Sequence, residues 1–180
     1  MNKKTVEQVD VQGKKVFVRV DFNVPIKQGV VKDDTRIRES LPTLKYLLER
    51  NATLILASHL GRPKGQVNPQ YTLAPAAPAL EKLLGRPVTF LDDCVGPKVQ
   101  QAIAAAAPGT VFLLENLRFY PGEEGNDPAF SKQLAELGEV YVNDAFGTAA
   151  RAHASTVGMV GMMPSTTTLL ADVVFAKADQ

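Results

Sequence analysis

The sequence predicts a doubly wound α/β fold with a mainly parallel sheet. Three observations predict it: short, continuously apolar runs rich in β-branched residues, longer stretches with apolar residues at helical spacing between them, and polar residues directly after the apolar runs. The 180-residue chain is 45% hydrophobic and 22% charged with a formal net charge of +1, which fits one ordinary globular domain and excludes a disordered or collagen-like chain.

Val16-Phe17-Val18-Arg19-Val20 opens the series, and Thr53-Leu54-Ile55-Leu56-Ala57, Val111-Phe112-Leu113-Leu114 and Val140-Tyr141-Val142 repeat its style. Such runs read as parallel strands buried on both faces. Val88-Thr89-Phe90-Leu91 is a weaker fifth. Over residues 35–50 the periodicity of Ile37, Leu41, Leu44, Leu47 and Leu48 predicts a helix capped by Asp34 or Thr35, which Pro42 should kink or break. Residues 72–84 predict a second helix, from a Thr72 cap to a Gly85 stop, with Pro75 in its first turn and Pro78 harder to place. A third runs over 97–107 behind Pro97, and a fourth opens at Asp127-Pro128 and stops at Gly138. Strand and helix alternate at a spacing that implies right-handed crossovers. No internal repeat, low-complexity linker or second domain is visible.

Composition narrows the chemistry. A single cysteine, Cys94, excludes an internal disulfide and a Cys-based zinc site, and His59 and His153 are too far apart in sequence to pair on a helix. The expected compartment is therefore reducing and cytoplasmic. Residues 1–13 carry lysines without a following apolar stretch, and no apolar run reaches membrane-spanning length. Near-neutral charge speaks against a general nucleic-acid surface, so any anion affinity must be local. Neither a phosphate loop, a dinucleotide fingerprint nor a hydrolase elbow occurs.

In a doubly wound sheet the ligand site lies outside the carboxyl ends of the strands. The residues there are Asp21-Phe22-Asn23, Ser58-His59-Leu60-Gly61-Arg62, Glu115-Asn116-Leu117-Arg118 and Asn143-Asp144-Ala145-Phe146-Gly147. Of the eight arginines, Arg19, Arg36, Arg38, Arg62, Arg118 and Arg151 lie in or near these segments, while Arg50 and Arg86 sit where helices should end. Guanidinium binds phosphate and carboxylate bidentately, so the cluster predicts a site for a small anionic substrate. Plainer readings stand beside it. Arg19 fits a buried ion pair with a carboxylate such as Asp21 as well as a substrate contact, and Tyr141 fits an interior aromatic. A lone histidine such as His59 is more often structural, although its place at a strand end before Gly61-Arg62 favours function. Glu123-Glu124-Gly125-Asn126-Asp127 reads as an exposed acidic turn, Cys94 as a small buried hydrophobe, and Met159, Met162 and Met163 as packing.

Ordered blocks then carry a resemblance. Arg19-Val-Asp21-Phe-Asn23-Val-Pro25, Asp33-Asp-Thr-Arg36-Ile-Arg38, Ala57-Ser-His59-Leu-Gly61-Arg62-Pro63-Lys64-Gly65, Glu115-Asn-Leu-Arg118-Phe, Pro121-Gly-Glu-Glu, Tyr141-Val-Asn-Asp144-Ala-Phe-Gly147-Thr and Arg151-Ala-His153-Ala-Ser-Thr156 resemble the phosphoglycerate kinase family over roughly residues 1–165.

The resemblance implies the N-terminal domain of a two-domain monomer, a three-layer α/β/α, Rossmann-like domain with a mainly parallel six-stranded sheet. It implies that Asp21, Asn23, Arg36, His59, Arg62, Arg118 and Arg151 hold 3-phosphoglycerate or 1,3-bisphosphoglycerate. Arg36 would stand beside the transferring phosphoryl group as the catalytic arginine, with His153 in possible support. Mg-ATP or Mg-ADP belongs to the family's C-terminal nucleotide domain, so no cofactor and no metal is expected on this chain, which alone should be inactive. Residues 1–164 are then the substrate-binding domain, and 165–180 an altered segment where the interdomain connection would begin. Two departures accompany the resemblance: Ala150 stands where the family commonly has His, and Ser165-Thr-Thr-Thr-Leu169 replaces a Gly-Phe-Leu stretch. A non-catalytic binding module and an autonomous folding fragment remain open as alternatives.

Overall fold

The apolar runs pair into one sheet. In the computed structural model, which describes Val6, residues 9–145 and residues 151–163, the elements in chain order begin with β1 (Lys15–Arg19), a hairpin of β2 (Ile26–Lys27) and β3 (Val30–Val31), α1 (Thr35–Glu49) and β4 (Thr53–Ala57). They continue with α2 (Ala76–Leu84), β5 (Thr89–Leu91), α3 (Pro97–Ala104), β6 (Val111–Leu114), the short α4 (Pro121–Glu124), α5 (Pro128–Ala135) and β7 (Val140–Asn143). The strand order is β5-β6-β4-β1-β7, and every neighbouring pair is parallel.

Alternation along the strands builds two cores. Val16, Val18, Leu54, Leu56, Val111 and Leu113 face one side, where Ile37, Leu44 and Leu47 of α1 and Leu80 of α2 cover them. Phe17, Ile55, Phe112, Leu114 and Tyr141 face the other, against Val99 and Ile103 of α3 and Phe130 and Leu134 of α5. Phe17 lies in register with Ile55 and Tyr141, and its ring stacks on that of Tyr141 with centroids 6.0 Å apart. The result is the expected three-layer, Rossmann-like arrangement.

Several expectations need correction. Among the described residues the main sheet has five strands rather than six. Two further strands form a separate antiparallel hairpin that no apolar run announced, because two residues are too short for a period to show. Its turn needs positive φ at consecutive positions and takes it at Gln28 (53°) and Gly29 (74°). Pro42 neither ends nor interrupts α1. A proline inside a helix costs about 3 kcal/mol, but α1 buries Ile37, Leu44, Leu47 and Leu48, each contributing about 1.5–3 kcal/mol, and Pro42 itself is exposed. The packing wins.

Helix starts also differ. Asp34 holds the N-cap position of α1 without capping through its side chain, which instead accepts from Arg38 Nε at 2.8 Å. Asp33 binds the first turn, accepting from the Thr35 amide at 2.9 Å and from Thr35 Oγ1 at 2.6 Å. Thr72 accepts from the Ala74 amide at 3.2 Å, but α2 proper begins only at Ala76. Pro78 is therefore its third residue, where a missing N–H leaves no helical bond unmade. Asp127 caps α5 as expected, accepting from the Phe130 amide at 2.9 Å. Ala150, Phe146, Gly147 and residues 165–180, with the expected domain boundary, lie outside the described residues. Among those described, no helix is long and apolar enough to cross a membrane.

Because Pro42 is a local cost that tertiary packing overrides, Pro42→Ala should raise the unfolding free energy by about 1–2 kcal/mol, the helix gain being reduced by the extra freedom of the unfolded chain. Urea denaturation followed by circular dichroism measures it. An unchanged or lowered midpoint contradicts this account of α1.

Candidate functional site

The loops leaving the carboxyl ends of β1, β4 and β6 are tied together by polar side chains within them. Ser58 Oγ accepts from the Phe22 amide at 2.9 Å and donates to the His59 carbonyl at 2.9 Å, joining the first two loops. Asn116 joins the second and third: its Oδ1 accepts from the amides of Leu60 (3.2 Å) and Arg118 (3.0 Å), and its Nδ2 donates to the carbonyls of Leu60 (2.7 Å) and Tyr71 (2.9 Å). With both ends satisfied, the buried amide fixes a geometry instead of costing stability. Glu115 extends the frame by accepting from Thr72 Oγ1 at 2.6 Å and from the Leu73 and Asn116 amides at 2.9 and 2.8 Å. Gly61 must be glycine. Its φ is +61°, and a Cβ there would stand 2.5 Å from the Tyr71 ring.

Out of this frame projects a cleft of about 280 Å³ lined by Asp21, Asn23, Arg36, His59, Gly61, Arg62, Arg118 and Arg151. The seven residues expected from the sequence thus share one cavity. Asn23 Oδ1 accepts from the Gly61 amide at 3.0 Å, and Asn23 O accepts from Arg36 Nη1 at 2.8 Å, with Asp21 Oδ1 3.4 Å from the same nitrogen. Arg118 is buried and donates through Nη1 to Gly61 O at 3.2 Å, while its Nε has no hydrogen-bond partner and the nearest carboxylate, Glu124, is 4.0 Å away. Arg62 and Arg151 are exposed and enter no ion pair among the described residues. Among the described residues Asp21 is the single carboxylate lining the cleft, against four guanidiniums, so the site carries a surplus of positive charge that an anion would relieve. His153 does not line the cleft. Its amide donates to Thr156 Oγ1 at 3.1 Å, and burial lowers its pKa.

Arg19 answers the question left open by the sequence with a third arrangement. Its guanidinium is fully buried, does not bond Asp21 and does not itself line the cleft: Nη1 donates to Val20 O at 2.6 Å, Nε to Ser155 Oγ at 2.9 Å, and Nη2 lies 2.9 Å from His59 Nδ1. Ser155 passes the contact on, its Oγ donating to Glu123 Oε2 at 2.5 Å and its amide to Glu123 Oε1 at 2.9 Å. Glu123, expected in an exposed acidic turn, is 0% exposed. The turn is helical at this point, and α4 presents the first of its two glutamates to Ser155 in the interior. Burial lowers the Arg19 pKa, and the Glu123 carboxylate opposes the shift. Tyr141 is interior as read, its hydroxyl donating to Ser155 O at 2.8 Å, and its pKa is raised by burial. Cys94 is a buried thiol that donates to Glu115 O at 2.8 Å, its pKa raised well above the usual range by burial.

Since arginine only donates, His59 Nδ1 must accept, and the ring proton then resides on Nε2. Burial, followed by the fields of Arg19 and Arg118, pushes the His59 pKa down to about 2. The imidazole therefore enters the cleft as a neutral donor and not as a cation. Ser58, Asn116, Glu115, Glu123 and Ser155 were not singled out as site residues by sequence reasoning. For Ser58, Glu115 and Asn116 the signal was their place directly after strands. Glu123 and Ser155 stand in blocks that carry the family resemblance, but neither composition nor spacing marked either of them.

A family model for phosphoglycerate kinase matches residues 6–172. The phosphoglycerate kinase of Moorella thermoacetica is 58% identical over 165 residues, which are 92% of this chain and 42% of that protein. That of Pelotomaculum thermopropionicum is 54% identical over 170 residues, 94% of this chain and 43% of its own length. Among solved structures, phosphoglycerate kinase from Coxiella burnetii superimposes with a TM-score of 0.80 at 34% identity, covering 97% of this chain and 41% of the other. The chain spans about two-fifths of the length of the relatives it matches.

A histidine held neutral by the fold makes stability fall with acid. Above its ordinary value near 6.5 the imidazole is neutral in both states, whereas below it the unfolded chain takes up a proton that the folded chain refuses until about pH 2. Between pH 7.5 and 5 this removes about 2 kcal/mol, and His59→Gln, which keeps an acceptor for Arg19, should abolish that share of the slope. Urea titrations of both proteins in chloride buffers test it. Parallel stability curves for the two contradict it.

Proposed function

The chain belongs to the phosphoglycerate kinase family, and we propose that it is the acid-binding part of that enzyme, its cleft taking 3-phosphoglycerate, or 1,3-bisphosphoglycerate in the reverse direction, for ATP-dependent phosphoryl transfer to and from the carboxylate. The observation that carries the reading is the convergence of Asp21, Asn23, Arg36, His59, Arg62, Arg118 and Arg151 on a single cleft. A volume of about 280 Å³ suits a three-carbon acid bearing one phosphate. Arg62, Arg118 and Arg151 form the clamp for the phosphate dianion, with His59 adding a neutral N–H. Asp21 accepts from the substrate hydroxyl, and Asn23 can donate to it through Nδ2. Arg36, half exposed beside Asp21, is placed to meet the carboxylate end and stabilise charge on the equatorial oxygens of the transferring group. The attacking carboxylate is already ionised at neutral pH, so no general base is required.

The donor set does not suit a magnesium ion. Divalent magnesium takes oxygen ligands, whereas the cleft offers four guanidiniums and one carboxylate, and the described residues include no group of three or more His, Cys, Asp or Glu arranged for a metal. On this reading the nucleotide arrives on the family's C-terminal domain, which is the partner of this chain in a cytoplasmic monomer. Phosphoryl transfer is almost entirely positioning and charge stabilisation. A chain holding only the acid therefore binds without turnover.

Calorimetric titration with 3-phosphoglycerate in chloride buffer should give weak saturable binding, reduced by about 1.5–3 kcal/mol in Arg62→Ala or Arg118→Ala, as for loss of a charged hydrogen bond. If neither substitution changes the titration, the clamp is wrong. A coupled assay with ATP, magnesium and 3-phosphoglycerate should show no turnover above background. Turnover that scales with this chain and vanishes in Arg36→Ala would mean that a nucleotide site exists within it.

A further inference from the structure

The buried chain of contacts behind the cleft does more than neutralise a charge. We propose that Glu123, Ser155 and Arg19 form a positioning relay that locks His59 in one tautomer, Nδ1 accepting and Nε2–H offered to the cleft, so that the imidazole recognises the substrate phosphate as a fixed neutral donor. The recognition step rests on the proposed substrate; the locking of the ring does not.

Each member occupies a different part of the fold. Glu123 is on α4, Ser155 in the helical turn Ala154–Gly158, Arg19 at the end of β1 and His59 just beyond β4. Ser155 has only one hydroxyl proton, and the carboxylate fixes its direction: Oγ donates to Glu123 Oε2 at 2.5 Å and so presents lone pairs to Arg19 Nε at 2.9 Å. With Nε committed to Ser155 and Nη1 to Val20 O at 2.6 Å, the planar guanidinium has no freedom to rotate. Nη2 is thereby held 2.9 Å from His59 Nδ1. A guanidinium has no lone pair to offer, so a proton on Nδ1 would face an N–H head-on. The wrong tautomer is excluded by that clash.

The relay also fixes more than one cleft wall. Ser155 stands four residues after Arg151, and its neighbour Thr156 donates through Oγ1 back to Arg151 O at 2.5 Å. Anchoring Ser155 to Glu123 through both its amide and its hydroxyl therefore sets where Arg151 begins its reach into the cleft. Arg19, Ser155 and Glu123 are absent from the cleft lining, so each acts through another residue.

The test is nitrogen NMR of the imidazoles in the unliganded full chain, with 3-phosphoglycerate titrations run in parallel. Wild type should show His59 with Nδ1 unprotonated and Nε2 protonated from pH 5 to 8. Ser155→Ala, which deletes the hydroxyl from a buried site, should give a mixture of tautomers and at least a fivefold weaker affinity for 3-phosphoglycerate. Ser155→Thr, which keeps the hydroxyl, should restore the single tautomer. A wild-type ring protonated on Nδ1 overturns the relay whatever the variants do. A folded Ser155→Ala chain with the wild-type tautomer and wild-type affinity overturns it as well. If wild type holds the single tautomer but binds no 3-phosphoglycerate, the substrate reading alone fails.

Discussion

A guanidinium with no access to water stands at the carboxyl end of a central strand, and its need for partners organises the surroundings. Removing a charge from water costs several kcal/mol unless hydrogen bonds and an opposite charge replace the solvent. Arg19 finds them in Val20 O, Ser155 Oγ and His59 Nδ1, with Glu123 as counter-charge one residue further out. Satisfying one cation thus brings together β1, the loop after β4, α4 and the turn 154–158. Removing any one partner would leave the others buried and incomplete, which is why such networks define a geometry more sharply than apolar packing does.

The four arginines that line the cleft follow the opposite logic. Arg62 and Arg151 are exposed, Arg36 is half exposed and leans weakly on Asp21, and Arg118 keeps its Nε without a hydrogen-bond partner. Like charges gathered around one small cavity repel one another, and that repulsion is relieved when an anion enters. The fully bonded arginine builds the wall, and those lining the cleft keep donors spare. The uncharged His59 joins the two sets, bonded on one side to the structural cation and lining the cleft on the other.

Much of this was legible in the sequence. Strands buried on both faces read as continuous apolar runs, so β1, β4, β6 and β7 could be placed, and with them the loops in which Asp21, Asn23, His59, Arg62 and Arg118 lie. The rest depends on partners distant in sequence. Glu123 sits in Glu-Glu-Gly-Asn-Asp, a composition that locally means a solvated turn. Its burial is decided by Ser155, 32 positions away. The role of Asn116 depends on carbonyls at positions 60 and 71, which no period reveals. Pro42 misleads in the other direction, since a local rule about backbone hydrogen bonds is overridden by four buried aliphatic side chains on the far face of the same helix.

The central claim is that one cleft at the strand ends takes the phosphorylated acid. Backbone amide spectra recorded during a 3-phosphoglycerate titration test it most directly. The account predicts saturable shifts confined to residues around the cleft, above all Asn23, His59, Gly61, Arg62, Arg118 and Arg151, while a separate groove lined by Tyr120, Pro121, Asp127, Phe130 and Gln133 stays unmoved. Shifts centred on that groove, or no saturable shift at any concentration reached, would contradict it.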